Sequence, residues 1–216
     1  MKTYIRTFIN ILVVGFLAAC AAPIQENSVH VRLSTDMGNI LIEVNETAAP
    51  ETSAYFLDFV DQGAFDDTAI YRVGFLADSP NTPKFIEGGM LSPFVQNSAI
   101  RSMADTNLPL LEVLEDTQTT GLKVERGVVF LGRNILGNGE ALPDFVIALD
   151  HIPEFEHGGQ RSPDGKGFPV FAKVVEGMEV VDQIALQARD GQTHFPFLQG
   201  QVLTEPIVIS IARVTK

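Results

Sequence analysis

Phe168-Pro169-Val170-Phe171-Ala172-Lys173-Val174-Val175-Glu176-Gly177-Met178-Glu179-Val180-Val181 reads as a strand that runs on into a helix. Residues 170–175 make the strand. The helix fits between Glu179 and about Ala188, with Val180, Val181, Ile184 and Ala185 facing inward. Outward from this stretch, strand-like segments recur at 69–75, 84–89, 127–132, 144–149 and 206–214. Near the start, Val29, Val31 and Leu33 alternate with polar partners. Ile40, Ile42 and Val44 do the same after the turn Asp36-Met37-Gly38-Asn39. That is a hairpin signal, with one face buried and one wet. Ala48-Ala49-Pro50-Glu51-Thr52 opens another helix, because a first-turn proline lacks only an N–H that would have no partner. Phe56, Phe59 and Val60 continue it as a core stripe, and Gly63 suits its C-terminal cap. Many strands and two helices, without strand–helix–strand alternation, argue against a parallel sheet. The expected fold is mainly β: a closed barrel covered by two helices, since closure removes exposed edges.

The chain opens Met1-Lys2-Thr3-Tyr4-Ile5-Arg6, followed by an apolar run from about Phe8 to Ala19 and then Cys20. A charged start, an apolar middle and small residues before the cut are the layout of a secretory signal. The run is shorter than the roughly 20 residues a membrane span needs. Cys20 is the only cysteine, so no intrachain disulfide forms. Leu17-Ala18-Ala19-Cys20 resembles the cleavage box of bacterial lipoproteins, in which the cysteine becomes the lipidated first residue. The plainer alternatives are an ordinary cleaved signal and an uncleaved short anchor. The reading that follows is a signal peptide over 1–19, a lipidated cysteine and tether over 20–28, and one domain over 29–216. Ala21 in place of an aspartate leans, by the same resemblance, towards the outer membrane. The expected location is thus the envelope of a Gram-negative-type bacterium, with the domain facing the periplasm.

Removing 1–19, which holds Lys2 and Arg6 and no acid, leaves 13 basic against 27 acidic residues, a net −14. Such a domain repels nucleic acid and gains nothing from an anionic lipid surface. The membrane is therefore reached through the N-terminal lipid. Length suits one domain with one core, and no repeat or low-complexity tract is visible. Region 91–126 is too long for a plain connector. Its Pro93, Phe94, Leu108, Pro109 and Leu110 give it apolar character with which to dock.

One further series stands out. Ala69-Ile70-Tyr71-Arg72-Val73 is a strand with an isolated charge. It is followed by Phe85-Ile86-Glu87-Gly88-Gly89, Gly127-Val128-Val129-Phe130-Leu131-Gly132-Arg133, Asp144-Phe145-Val146-Ile147 and the strand-to-helix stretch quoted first. In order and spacing these resemble the cyclophilins, the peptidyl-prolyl cis-trans isomerases, over roughly residues 29–214. Leu114-Glu115-Asp116-Thr117 and Pro153-Glu154-Phe155-Glu156-His157-Gly158-Gly159-Gln160-Arg161-Ser162-Pro163-Asp164-Gly165 resemble a bacterial branch of that family. The resemblance implies an eight-stranded antiparallel barrel capped by two helices. It also implies proline-containing polypeptide clients, no cofactor, no metal and a monomer.

Prolyl isomerisation breaks no covalent bond; its barrier of about 18–20 kcal/mol is lost amide resonance. A catalyst needs an apolar cup for the pyrrolidine ring, polar groups for the substrate backbone, and a donor that favours the pyramidal proline nitrogen over the planar one. An arginine supplies that donor as a rigid, permanently charged fork. By resemblance the role falls on Arg72; Tyr71 and Val73 are expected to point to the other face. Phe85, Val146, Phe155 and Phe168 are implied to line the cup. Glu87, Gly132 and Asp144 are implied to contact substrate. The chain departs from the family where Glu87 stands for a usual glutamine, Val146 for a usual phenylalanine, Phe168 for a histidine or tyrosine, and Glu154 for an aromatic. Those departures imply slow or selective catalysis and weak cyclosporin binding.

His30, His151, His157 and His194 lack metal-site spacing. The acidic run Asp144, Asp150, Glu154 and Glu156 reads as a solvated loop. Gly137-Asn138-Gly139 is a turn and not a phosphate loop, and no serine sits in a nucleophile-elbow pattern. Two rivals to an isomerase remain: a non-catalytic binding or chaperone module on the same fold, and a structural envelope lipoprotein.

Overall fold

In the computed structural model, which describes residues 28–99, 102–135 and 137–214, the expected N-terminal hairpin is present. Strand β1 (Val29–Thr35) pairs antiparallel with β2 (Gly38–Val44), from Val29 opposite Val44 to Thr35 opposite Gly38. The Thr35 hydroxyl closes the turn, donating to the Gly38 carbonyl at 2.9 Å and accepting from the Met37 N–H at 3.0 Å. Val31, Leu33, Ile40 and Ile42 are all fully buried, as the period-two alternation requires. The signal segment 1–19, Cys20 and the tether up to Asn27 lie outside the described residues. Among the described residues no helix is long and apolar enough to cross a membrane.

Six more strands follow: β3 (Thr68–Gly74), β4 (Phe85–Gly89), β5 (Val128–Arg133), β6 (Ala141–Ala148), β7 (Val170–Glu176) and β8 (Val202–Arg213). They close into an eight-stranded antiparallel barrel in the order β1-β2-β7-β5-β6-β4-β3-β8. Pairing of Val31 with Arg213 and of Leu33 with Ile211 seals it. The main core fills the barrel and the space under helix α1 (Pro50–Asp61), which contributes Phe56, Leu57, Phe59 and Val60.

The start of α1 shows why the long middle region matters to the fold. Ala49 offers no side-chain cap. The Glu115 carboxylate serves instead, accepting from the Glu51 N–H at 3.2 Å, the Thr52 N–H at 2.7 Å and the Thr52 hydroxyl at 2.8 Å. A negative charge on the free N–H groups of a helix start is favourable for both hydrogen bonding and the helix dipole.

Region 91–126 is a covering with structure of its own: α2 (Ser92–Gln96), a 3₁₀ turn at Met103–Thr106 and α3 (Thr117–Thr120). Phe94, Leu108 and Leu110 pack on a separate apolar cluster of Tyr71, Leu91, Val95, Leu142, Leu198 and Val202. Tyr55 donates to the Pro109 carbonyl at 2.8 Å, and Leu111 and Ala141 form a two-way bridge. The helix expected from Glu179 is α4 (Met178–Ala185), with Val180, Val181, Ile184 and Ala185 buried. The two expected helices are thus joined by two short ones.

Candidate active site around Arg72

Arg72 lies on β3 beside an irregularity. The register shifts between Ile70 and Arg72 against both β4 and β8. An extra residue in one strand re-aims the side chains on either side of it. Ile70 and Val73 therefore enter the main core, while Tyr71 packs in the cluster under region 91–110. Tyr71 and Val73 do not share a face as simple alternation requires; the bulge is the reason.

The Arg72 guanidinium is gripped from β4 on one side and from the turn leading into β8 on the other. Nη1 donates to the Glu87 carboxylate at 2.6 Å. Nε and Nη2 donate to the Gln201 side-chain oxygen at 3.1 and 2.7 Å. Gln201 is itself held, its Nε2 donating to the Phe197 carbonyl at 2.9 Å. The Arg72 and Glu87 side chains retain 12% and 10% of their exposure, so the pair is neither free in solvent nor sealed. The Phe85 ring lies under the guanidinium, 5.0 Å from its carbon. That ring crosses β3 at Gly74, where any β-carbon would collide with it.

The four expected cup residues meet in one cluster. Phe155 and Phe168 stack at 4.6 Å with 21° between planes, and Phe85 stands 5.5 Å from Phe155. Val146 belongs to the same cluster. Phe130, which sequence reasoning passed over, stands edge-on to Phe155 and Phe168 at 5.8 and 5.6 Å. Its signal is its place directly across from Val146 in the β5–β6 ladder. None of Phe85, Phe130, Val146, Phe155 and Phe168 is more than 6% exposed. The rings fill the cup themselves. A hollow of about 630 Å³ lies elsewhere, lined among others by Glu43, Asn45, Lys123 and Lys173. Gly132 sits beside the pair, its missing β-carbon position 3.4 Å from the Glu87 carboxylate.

Asp144 does not stand where a substrate reaches it. It is fully buried, accepting from the Tyr71 hydroxyl at 2.6 Å and from the Leu91 N–H at 2.9 Å. Burial first, and the nearby Glu87 charge second, push its carboxyl well above the usual carboxylate range, against those hydrogen bonds. The Tyr71 phenol is pushed up by burial and by the Asp144 and Glu87 charges. The expected substrate contact is replaced by a buried clamp between β3, β6 and region 91–97. Gly89, at φ +134, makes room for it; a β-carbon there would lie 2.7 Å from the Asp144 carboxylate.

Two other arginines border the aromatic cluster. Arg133 is structural: its side chain is 1% exposed and donates to Gly139, Ser162, Asp164 and Lys166 at 2.6–3.0 Å. Arg161 is exposed, and its guanidinium carbon stands 5.8 Å from the Phe155 ring centre. Among the described residues, no group of three or more His, Cys, Asp or Glu is placed to hold a metal ion. His157 pairs with Asp116 at 2.7 Å and His151 with Glu156 at 3.2 Å.

Residues 30–213 match the family model described as cyclophilin type peptidyl-prolyl cis-trans isomerase/CLD. Over 184 residues the chain is 29% identical to peptidyl-prolyl cis-trans isomerase B of Escherichia coli (strain K12), covering 83% of this chain and 99% of that protein. Over 208 residues it is 29% identical to peptidyl-prolyl cis-trans isomerase A of Dickeya dadantii (strain 3937), covering 95% of each. The fold is shared with a Cryptosporidium parvum cyclophilin type peptidyl-prolyl cis-trans isomerase. That crystal structure matches with a TM-score of 0.63 and 16% identity, over 88% of this chain and 99% of the other.

Proposed function

The chain belongs to the cyclophilin-type peptidyl-prolyl cis-trans isomerases, and on that premise we propose that it speeds rotation about X-Pro bonds in exported polypeptides, held by a lipid at the cell envelope. Uncatalysed exchange takes tens to hundreds of seconds, long enough to stall a folding chain. The observation that carries the reading is how Arg72 is held. A guanidinium has five N–H donors. One on Nε and one on Nη2 go to Gln201, and one on Nη1 goes to Glu87. Two remain, one on each terminal nitrogen, on a cation already fixed in place. Such a donor needs no reorganisation when the proline nitrogen becomes pyramidal and its lone pair localises. Phe85, Phe155 and Phe168 supply apolar wall for the pyrrolidine ring beside it, with Val146 beneath.

A second reading is favoured by the Arg72–Glu87 pair itself. A carboxylate at 2.6 Å offsets much of the charge that the transition state would use. A groove so neutralised would hold proline segments without accelerating their rotation. Isomerase assays of the full-length chain in detergent, beside Arg72→Ala, separate the two. A variant slower by at least about tenfold, about 1.4 kcal/mol of barrier, supports catalysis. Parent and variant both at the uncatalysed rate would leave the binding module.

The envelope placement is supported by the basic start, the apolar run and Leu17-Ala18-Ala19-Cys20. On this reading the protein is a monomer facing the periplasm, and Ala21 after the cysteine favours the outer membrane over the inner. Between Cys20 and Val29 an extended tether reaches about 30 Å at most, so the barrel works close to the lipid surface. Fatty-acid labelling that disappears in Cys20→Ala tests this. Labelling that persists in the variant would sink it.

A further inference from the structure

We infer that Arg161 is a specificity-determining residue that recognises a carboxylate, so that the site favours clients carrying Asp or Glu next to the proline. This rests on the Arg72 groove being the proline site. Two guanidinium groups bracket a pair of phenyl rings there. Arg72 lies 5.0 Å from the Phe85 ring, Phe85 lies 5.5 Å from Phe155, and Arg161 lies 5.8 Å from Phe155 on its own account. The two cations differ in what they face. Arg72 is engaged by Glu87 and Gln201. Arg161 uses its backbone N–H on the Glu154 carbonyl at 3.0 Å, but among the described residues its guanidinium has neither a hydrogen bond nor an ion pair.

The chain has 27 acidic residues against 15 basic ones, and most of its described arginines find one of them. Arg72, Arg126, Arg133 and Arg213 each have a carboxylate within 2.7 Å. Arg32 and Arg189 are also without a carboxylate among the described residues, but both stand outside the aromatic cluster, Arg32 exposed on β1 and Arg189 over Phe75. The Glu154 carboxylate, in the same turn region, is not paired with Arg161, and one of its oxygens is buried without a partner. Arg161 is thus an unneutralised cation at the edge of the cup, exposed enough to be reached and steadied by the Phe155 face. Protein crowded around the guanidinium, and then the Arg72 charge, depress its pKa, with Glu87 partly offsetting them. A carboxylate docking there relieves that cost. It also fits the planar donor fork, which binds two carboxylate oxygens side by side.

The test uses the full-length chain in detergent and peptides with Glu, Ala or Lys immediately before proline, then immediately after it. In one of the two series the parent is expected to turn over Glu peptides on the order of tenfold better than Lys peptides by kcat/KM, with Ala between them. Raising salt from low to molar concentration should shrink the ratio. Arg161→Gln is expected to bring it within about twofold, and Arg161→Lys to keep part of it. Because the readout is a ratio within one variant, a partial loss of folded protein does not move it. A parent that treats the three peptides alike in both series, or an Arg161→Gln variant that keeps the preference, overturns the inference. If no peptide is accelerated at all, the isomerase reading falls, and the ratio of peptide Kd values decides the role of Arg161 in the same way.

Discussion

Gln201 and Arg72 are joined by two hydrogen bonds to a single oxygen, across 129 residues of chain. Arg72 owes its direction to this residue as much as to its own strand. Gln201→Ala removes that oxygen and both bonds with it, and leaves Glu87 as the one remaining anchor. The expected result is a fall in kcat/KM of about tenfold. Gln201 lies in the turn leading into β8 and carries no ladder position, so thermal unfolding should shift little. A variant with unchanged kcat/KM would show that Glu87 alone orients the guanidinium.

Glu87→Gln keeps an oxygen that accepts from Nη1 of Arg72 but removes the charge. With the cation no longer offset, kcat/KM on neutral X-Pro peptides is expected to rise several-fold. A fall would mean that the charge is needed to hold Arg72 in place. Either result is read directly from progress curves of the variant beside the parent.

Asp144→Asn reports the buried clamp through pH. The Asp144 carboxyl is raised above its value in the unfolded chain. The folded protein therefore binds more protons than the unfolded one between those two pKa values. Its contribution to stability is fully present below the unfolded pKa, about 3.9, and is lost as pH rises through the folded pKa. The asparagine variant has no such loss and still accepts from the Leu91 N–H. Tm of the variant minus that of the parent should be small near pH 4 and grow to about 3 °C or more by pH 8. A constant difference across that range would rule out a proton uptake tied to Asp144.

Glu115→Ala strips α1 of its cap. The Thr52 N–H and hydroxyl lose their acceptor in a buried setting, and the Glu51 N–H loses it in a half-buried one. Urea unfolding should show a loss of about 2 kcal/mol. Glu115→Gln, which keeps one acceptor oxygen, should lose less. Equal losses would show that the charge, and not the hydrogen bonding, does the capping.

The parts of this molecule that can be read from its sequence are those in which each residue acts on its near neighbours. The alternation through Val29–Val44 and the stripe of Val180, Val181, Ile184 and Ala185 repeat a pattern several times, so each strand or helix announces itself. Arg72 is legible because a lone charge in an apolar strand needs a reason, and Phe85, Phe155 and Phe168 follow from the same resemblance. Gln201 and Glu115 are not legible, since their partners lie 129 and 63–64 positions away and nothing local marks them. The turned-away Tyr71 is hidden for a different reason. A bulge shifts one residue and leaves composition untouched. Asp144 sits in a run of acids that reads as solvated loop, yet β6 carries it under region 91–97, where only the tertiary fold could put it.

The position of β1 has a mechanical consequence. It is the first element after the N-terminal segment, and it is flanked by two partners, β2 and β8, with Val214 adding a further bond to His30. A pull on the chain before Val29, directed along the strand, loads the rungs of both ladders together in shear and does not peel them one at a time. Were the domain moored at that end, as proposed above, a moving client could tug it without unravelling it from its attachment point. Its opposite end, at β8, is braced by the same strand and pairs on its other side with β3, so a single strand stands between the loaded β1 and the strand that carries Arg72.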